Sequence, residues 1–163
     1  MTAYIGVDPG LGGALAIIYP TGEIKTLPTP VAGKEIDVNA IVKWIDDVYA
    51  TDIIIRKYLT VAYIEKVSAF PGQGVSSMFK FGFVTGVIHG ILRALSIPLY
   101  TVTPQAWKKE ILAGTAKDKQ AAIDYVLRIY PDINLFRTPK SRTYDSGIAD
   151  ALCIAEYGRR RNK

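Results

Sequence analysis

Three acidic residues stand where a folded chain can present chemistry. Asp8 follows the apolar run Ala3–Val7, Glu65 follows Leu59–Ile64, and Asp150 sits within Ile148–Ala155, a segment apolar nearly all round. The two runs read as buried strands, so Asp8 and Glu65 occupy strand C-terminal ends, the first of them at the turn signal Asp8-Pro9-Gly10. With those strands adjacent, both carboxylates emerge at one edge of the core. The helix bearing Asp150 is expected to be buried, where an acid is costly unless compensated. Three carboxylates meeting at one point repel one another, and a divalent cation is the usual remedy. Oxygen-only ligands favour Mg²⁺ or Mn²⁺ over Zn²⁺. Two such ions suit in-line phosphodiester hydrolysis, one activating water and the other stabilising the leaving oxygen. Singly, each acid has a plainer reading: a turn residue at Asp8, a strand-end charge beside Lys66 at Glu65, a satisfied helix acid at Asp150. Their order and their elements are what join them.

Those elements follow from pattern. Gly12-Gly13 leads into the run Ala14–Tyr19, and Pro20-Thr21-Gly22 turns it into Glu23–Leu27, so the first three strands form an antiparallel meander. Asp37–Val48 carries Ile41, Val42, Ile45 and Val48 at amphipathic-helix spacing, with Asp37 near the cap. After the fourth strand, Leu59–Ile64, comes a Gly/Pro loop, Ser68–Gly74, and then a long helix, Val75–Leu95, with Gly82, Gly86 and Gly90 near one face. That small-residue face allows another backbone to approach closely. Ile97–Val102 reads as a fifth strand. Thr103-Pro104 opens a short helix with Pro at its first position, and Lys117–Tyr130 and Ser146–Arg159 are the last two helices. The order predicts a single α/β domain over residues 1–163, with a mixed five-stranded sheet, antiparallel first and parallel afterwards, flanked by helices.

Composition sets the outer limits. The 163 residues are 49% hydrophobic and 21% charged, ordinary globular values that exclude wholesale disorder. The longest runs free of Asp, Glu, Lys and Arg, Pro9–Gly22 and Ala94–Trp107, both contain Pro and are too short to span a bilayer. An acid at position 8 and no basic stretch before it argue against a secretory signal. The lone Cys153 excludes a disulfide framework and fits a reducing compartment, so a soluble cytoplasmic protein is expected. Residues 1–100 are electrically neutral, whereas residues 101–163 hold twelve Lys/Arg and seven Asp/Glu and account for the whole +5. A basic half on a small domain points to a polyanion, nucleic acid first, although a merely soluble basic surface has the same charge.

Four blocks carry a resemblance. Ile5-Gly6-Val7-Asp8-Pro9-Gly10 with Gly13-Ala14 is the first, and Tyr63-Ile64-Glu65-Lys66-Val67 the second. Gly86-Val87-Ile88-His89-Gly90-Ile91 is the third, and Ile148-Ala149-Asp150-Ala151-Leu152-Cys153-Ile154-Ala155, continuing into Glu156-Tyr157-Gly158, the fourth. In this order the chain resembles the RuvC-type Holliday-junction resolvases, especially their short phage-like forms, over nearly its whole length. The resemblance implies an RNase H-like fold, a homodimer and Mg²⁺-dependent endonuclease activity on four-way DNA junctions, in which Asp8, Glu65 and Asp150 match catalytic acids and metal ligands. The family also has an acid or His about one helical turn before its last Asp, where this chain has Gly147. The nearest carboxylate, Asp145, is the expected fourth ligand, with helix capping as its plainer role. Lys108 and Lys119 match two basic positions of the family and are flanked by Lys109 and Lys117. Phosphate binding and, at Lys119, charge stabilisation at the scissile phosphate are the implied roles; a solvated helix face is the ordinary one. Many members place Phe three residues after the Glu, where this chain has Ser68; Phe70, or Met78 and Phe79 at the start of the next helix, could substitute for an aromatic that stacks on or wedges between bases, with a loop anchor as the plainer role of Phe70. His89 reads as a packed or interface histidine, Cys153 as a small core residue, and Trp107 as packing beneath the short helix, with DNA contact its second reading.

The function expected is therefore paired phosphodiester hydrolysis at a four-way junction by a dimer with two active sites. A broader branched-DNA debranching nuclease is one alternative. A non-catalytic junction-binding module is another, favoured by the glycine at 147.

Overall fold

The computed structural model describes residues 1–55, 58–66, 68 and 72–162, with side chains of 49–55 excepted. In chain order the elements are β1 (Thr2–Asp8), β2 (Ala14–Ile18), β3 (Ile24–Pro28), β4 (Val31–Ala32), β5 (Glu35–Ile36), α1 (Val38–Ile55), β6 (Leu59–Glu65), α2 (Val75–Ala94), β7 (Leu99–Val102), α3 (Pro104–Ile111), α4 (Lys119–Ile129) and α5 (Ser146–Arg161). The main sheet runs β3-β2-β1-β6-β7. β1, β2 and β3 pair antiparallel, and β1 with β6 and β6 with β7 pair parallel. This is the mixed five-stranded sheet that the sequence predicts. The short β4–β5 hairpin is additional; two residues per strand are too few to leave an alternation signal.

Side-chain alternation along the strands splits the core in two. Ile5, Val7, Leu15, Ile17 and Ile64 face α1 and α2, where Ile41, Ile45, Val84, Ile88 and Leu92 meet them. Tyr4, Ala14, Ala16 and Tyr63 face the other side, with α5 next to the sheet and α3 and α4 around it. At its centre that second face carries only Gly6, Ala14 and Ala16, and the helix comes correspondingly close. A Cβ on Gly6 would lie 2.0 Å from the Ala151 carbonyl oxygen and 2.3 Å from the Ala155 nitrogen. Gly6→Ala would force α5 off the sheet, at the upper end of the roughly 1–3 kcal/mol typical of overpacking. Contact on both sides also explains why α5 is apolar nearly all round: every residue from Gly147 to Gly158 except Asp150 is buried.

Several ends differ from the sequence reading for local reasons. α4 begins at Lys119 because Asp118 caps it, its side chain accepting from the Ala121 N–H at 2.8 Å; Lys117 lies just before the cap in the left-handed region, at φ 59°. Asp37 caps α1 as expected, accepting from the Ala40 N–H at 3.0 Å. In α2 the three glycines are exposed, and a Cβ added at Gly82, Gly86 or Gly90 would meet nothing within 4 Å. The backbone they are free to admit is therefore not one of the described residues.

Candidate active site

The register of β1 against β6 sets the site. Val7 pairs with Ile64, so the next residues, Asp8 and Glu65, stand side by side at the C-terminal ends of two parallel strands. Val7 and Ile64 face α1 and α2, hence Asp8 and Glu65 project to the opposite face, toward α5 and α3. Asp150 meets them from α5. The result is a half-buried acidic pocket at one end of the sheet.

The three acids act on one another through their charges. Burial pushes the Asp8 carboxyl well above its ordinary value, and the charges of Asp150, Glu65 and Asp145 add to the rise. Glu65 is also raised, by burial, against the opposing pull of its hydrogen bond to Trp107 and of the Lys108 ammonium. Asp150 is pushed up to about 6, burial leading; Glu65 and Asp145 raise it while Lys108 and Lys119 lower it. Glu156, two turns further along α5, is the instructive contrast. It is almost fully buried, and burial alone would raise it, but it accepts from Arg159 (2.7 and 3.0 Å), Arg160 (3.2 Å) and the Tyr130 hydroxyl (3.0 Å) and is held below its ordinary value. One helix thus carries a buried acid satisfied by hydrogen-bonded cations and a half-buried one pulled down by Lys108 and Lys119 but raised by burial, Glu65 and Asp145.

Trp107 packs beneath α3 as expected and also touches one of the acids, a contact its sequence reading did not include. Its indole is fully buried, and Nε1 donates to Glu65 Oε2 at 2.6 Å. Lys108 lies 5.2 Å above the same ring and acts on Asp8, Glu65 and Asp150 together. Lys119 acts on Asp150. Lys109 and Lys117 are exposed beside them. Phe70 lies outside the described residues.

Asp145 is placed differently from the other acids. It is the N-cap of α5, with Oδ1 accepting from the Ile148 N–H at 3.0 Å. Its other oxygen accepts from the Arg137 Nε in a very short ion pair. Nothing in the sequence singled out Arg137, which lies in the connection before α5 and has no motif around it. Gly147 is explained by contact: a Cβ there would lie 2.5 Å from the Gly12 carbonyl oxygen and 3.0 Å from the Gly13 Cα. Any side chain at that position, an acid included, would collide with the β1–β2 turn.

Asp8, Glu65 and Asp150 make an oxygen-only donor set suited to Mg²⁺ or Mn²⁺. Among the described residues no three acidic, His or Cys side chains form a ready-made ligand cluster; coupled, mutually repelling charges and donor chemistry are what mark the site.

Sheet order, mixed polarity and helices on both faces define an RNase H-like fold with acids at the ends of its central strands. No family model matches the sequence, and neither does any curated protein. Solved structures do match. The structure of Thermus thermophilus RuvC in complex with a Holliday junction substrate aligns over 98% of this chain and 96% of its own, at 18% identity and a TM-score of 0.58. The Thermus thermophilus RuvC structure aligns over the same shares, at 20% identity and a TM-score of 0.55. The fold of this chain is that of RuvC.

Proposed function

We propose that this chain is a divalent-metal-dependent endodeoxyribonuclease that resolves four-way DNA junctions. One observation carries the reading: three half-buried, mutually repelling carboxylates, Asp8, Glu65 and Asp150, at one end of the parallel strands. Their setting supports it, since the fold is shared with a RuvC whose structure contains a Holliday junction substrate.

Asp8, Glu65 and Asp150 would hold Mg²⁺ or Mn²⁺, two ions per site. When bound, these cations activate water and stabilise the leaving oxygen of the phosphodiester. The chain's own residues prepare the pocket for that chemistry. Trp107 fixes one oxygen of Glu65 and lowers its pKa. Lys108 favours the ionised forms of all three acids. Lys119 stabilises charge at the scissile phosphate, while Lys109 and Lys117 bind flanking phosphates. Asp145 is left out of the ligand set, because the cap and Arg137 engage both of its oxygens.

A four-way junction needs two symmetric cuts, and a homodimer supplies two sites at fixed separation. The exposed face of α2 supports that assembly: Phe79 and Phe83 are 74% and 53% exposed, next to the bare Gly82 and Gly86. α2 is long and apolar enough to cross a membrane by length and composition, but Lys80 and Arg93 lie within it. A dimer contact between single-domain subunits in the cytoplasm is the reading we adopt.

A synthetic immobile four-way junction incubated with Mg²⁺ or Mn²⁺, with products mapped strand by strand, tests the proposal. Paired nicks at symmetric positions are expected, with three-way and flap substrates cut less well. Asp8→Asn should bind the junction and leave it intact. Binding without nicking in either metal, or normal cleavage by Asp8→Asn, would overturn the reading.

A further inference from the structure

Arg137 lies in the connection from α4 to α5, eight residues before Asp145. The base of this connection is closed by the Asp145 N–H donating to the Leu135 carbonyl at 2.7 Å, with Leu135 fully buried. From that anchored base the guanidinium makes two attachments. Nε and Nη2 fork onto the Asp145 carboxylate, Nη2 reaching Oδ1 at 3.2 Å. The same Nη2 donates to the carbonyls of Gly12 at 2.6 Å and Gly13 at 2.9 Å.

These attachments join the two pieces of chain that carry the acids. Gly12 and Gly13 belong to the β1–β2 turn that begins at Asp8, and Asp145 is the cap of the helix that carries Asp150. Asp8 and Asp150 repel each other, which drives the turn and the helix apart. Two carbonyls and a carboxylate converging there repel as well, and one half-buried cation with a rigid donor fork satisfies all three acceptors. A Lys ammonium has no such fork. The glycine at 147 lets the two pieces touch, and Arg137 keeps them touching.

We propose that Arg137 is a positioning residue for the acidic pocket. It sets the separation of Asp8 from Asp150, and Asp145 acts through Arg137, not as a metal ligand. The proposal rests on the reading of Asp8, Glu65 and Asp150 as a metal site.

Two measurements on the full-length protein test it. The first is amide hydrogen exchange on metal-free protein. Arg137→Ala should lose protection across residues 8–13 and 146–150 while β6 and the middle of α5 keep theirs; unchanged protection in both segments overturns the proposal, whatever the metal does. The second is calorimetric titration with Mn²⁺ in the absence of DNA. Arg137→Ala should bind about tenfold or more weakly, as expected when a group supporting a metal ligand is removed, and Arg137→Lys should recover only part of the loss. Asp145→Asn keeps a capping oxygen and should weaken binding about as much as Arg137→Ala. The double variant should be no weaker than either single one, because both remove the same attachment. Additive losses would make Asp145 a ligand in its own right and overturn the proposal, as would wild-type affinity in Arg137→Ala. Wild-type protein that fails to bind Mn²⁺ refutes the metal reading instead, and the exchange experiment still decides the role of Arg137. If Arg137→Ala does not fold, Arg137→Lys carries both measurements.

Discussion

The indole Nε1 of Trp107 donates to Glu65 Oε2 at 2.6 Å, across 42 residues of sequence. The ring is fully buried, and a buried indole N–H needs an acceptor. Here the acceptor is a member of the acidic pocket, so a side chain that fills the core beneath α3 also fixes the orientation of Glu65. Packing and chemistry are joined in one residue.

Trp107→Phe separates the two roles. Phe retains most of the apolar surface, so the cost in stability should be about 1–3 kcal/mol, within the range for moderate large-to-small core changes. The lost hydrogen bond was lowering the Glu65 pKa, so its removal raises that pKa further. The acid limb of the pH–rate profile on a junction substrate should therefore move to higher pH, with the rate at pH 6 reduced more than at pH 8. A uniform loss of rate across pH, tracking the loss of Tm, would leave Trp107 with packing alone.

Asp150 has a stability signature that requires no DNA. Its carboxyl is held at about 6, chiefly by burial, while the unfolded chain ionises it near the ordinary value of 3.8. The folded state favours the neutral acid, so the stabilisation is complete below the unfolded pKa and is lost as pH rises through about 6. Metal-free Asp150→Asn should accordingly melt higher than wild type at pH 8, by a few degrees, and the gap should close near pH 4. Equal melting temperatures at every pH would mean that the pocket does not strain its acids. Since a bound cation needs the ionised form, Mn²⁺ should raise the wild-type Tm more at pH 7.5 than at pH 5.5.

How far the site was legible follows from which signals are local. Asp8 and Glu65 were readable because a strand ending in an acid before a turn is a local pattern, and Asp150 because an acid in an all-round apolar helix is anomalous on its face. The parallel register that puts Val7 beside Ile64 and so joins two of them was predictable only from the order of elements. Trp107 and Arg137 left no signal, because each acts through one contact with a residue distant in sequence: 42 positions to Glu65 and 125 to Gly12. Asp145 was ambiguous for a related reason. An acid in front of a helix looks the same whether it caps, pairs with an arginine or ligates a metal, and only the position of Arg137 distinguishes these.

Gly147 tests whether the missing acid can be restored. The first turn of α5 approaches the β1–β2 turn so closely that a Cβ would lie 2.5 Å from the Gly12 oxygen. Gly147→Asp should therefore lower the melting temperature and reduce Mn²⁺ affinity, because the turn that begins at Asp8 must move to admit it. Gly147→Ala, with no new charge, should show the same direction of change. Tighter metal binding by Gly147→Asp with an unchanged Tm would show that the turn yields easily and that the position was simply vacant.

The exposed face of α2 yields the cleanest test of assembly. At Gly86 a Cβ would meet nothing within 4 Å, so Gly86→Leu leaves the subunit's own packing untouched. Leu also has the higher helix propensity, by up to about 1 kcal/mol. The subunit should be at least as stable as wild type. A dimer formed through this face should nevertheless be weakened, because Leu stands where the partner backbone approaches, beside Phe83 and Phe79. Analytical ultracentrifugation is expected to show wild type at twice the 17.9 kDa chain mass and Gly86→Leu shifted toward the single chain, with its dissociation constant raised at least about tenfold, the equivalent of roughly 1.4 kcal/mol. On a four-way junction the variant should then make single, uncoupled nicks. A wild-type protein that is monomeric at all concentrations, or a Gly86→Leu variant that dimerises and cuts in pairs as wild type does, removes α2 from the interface.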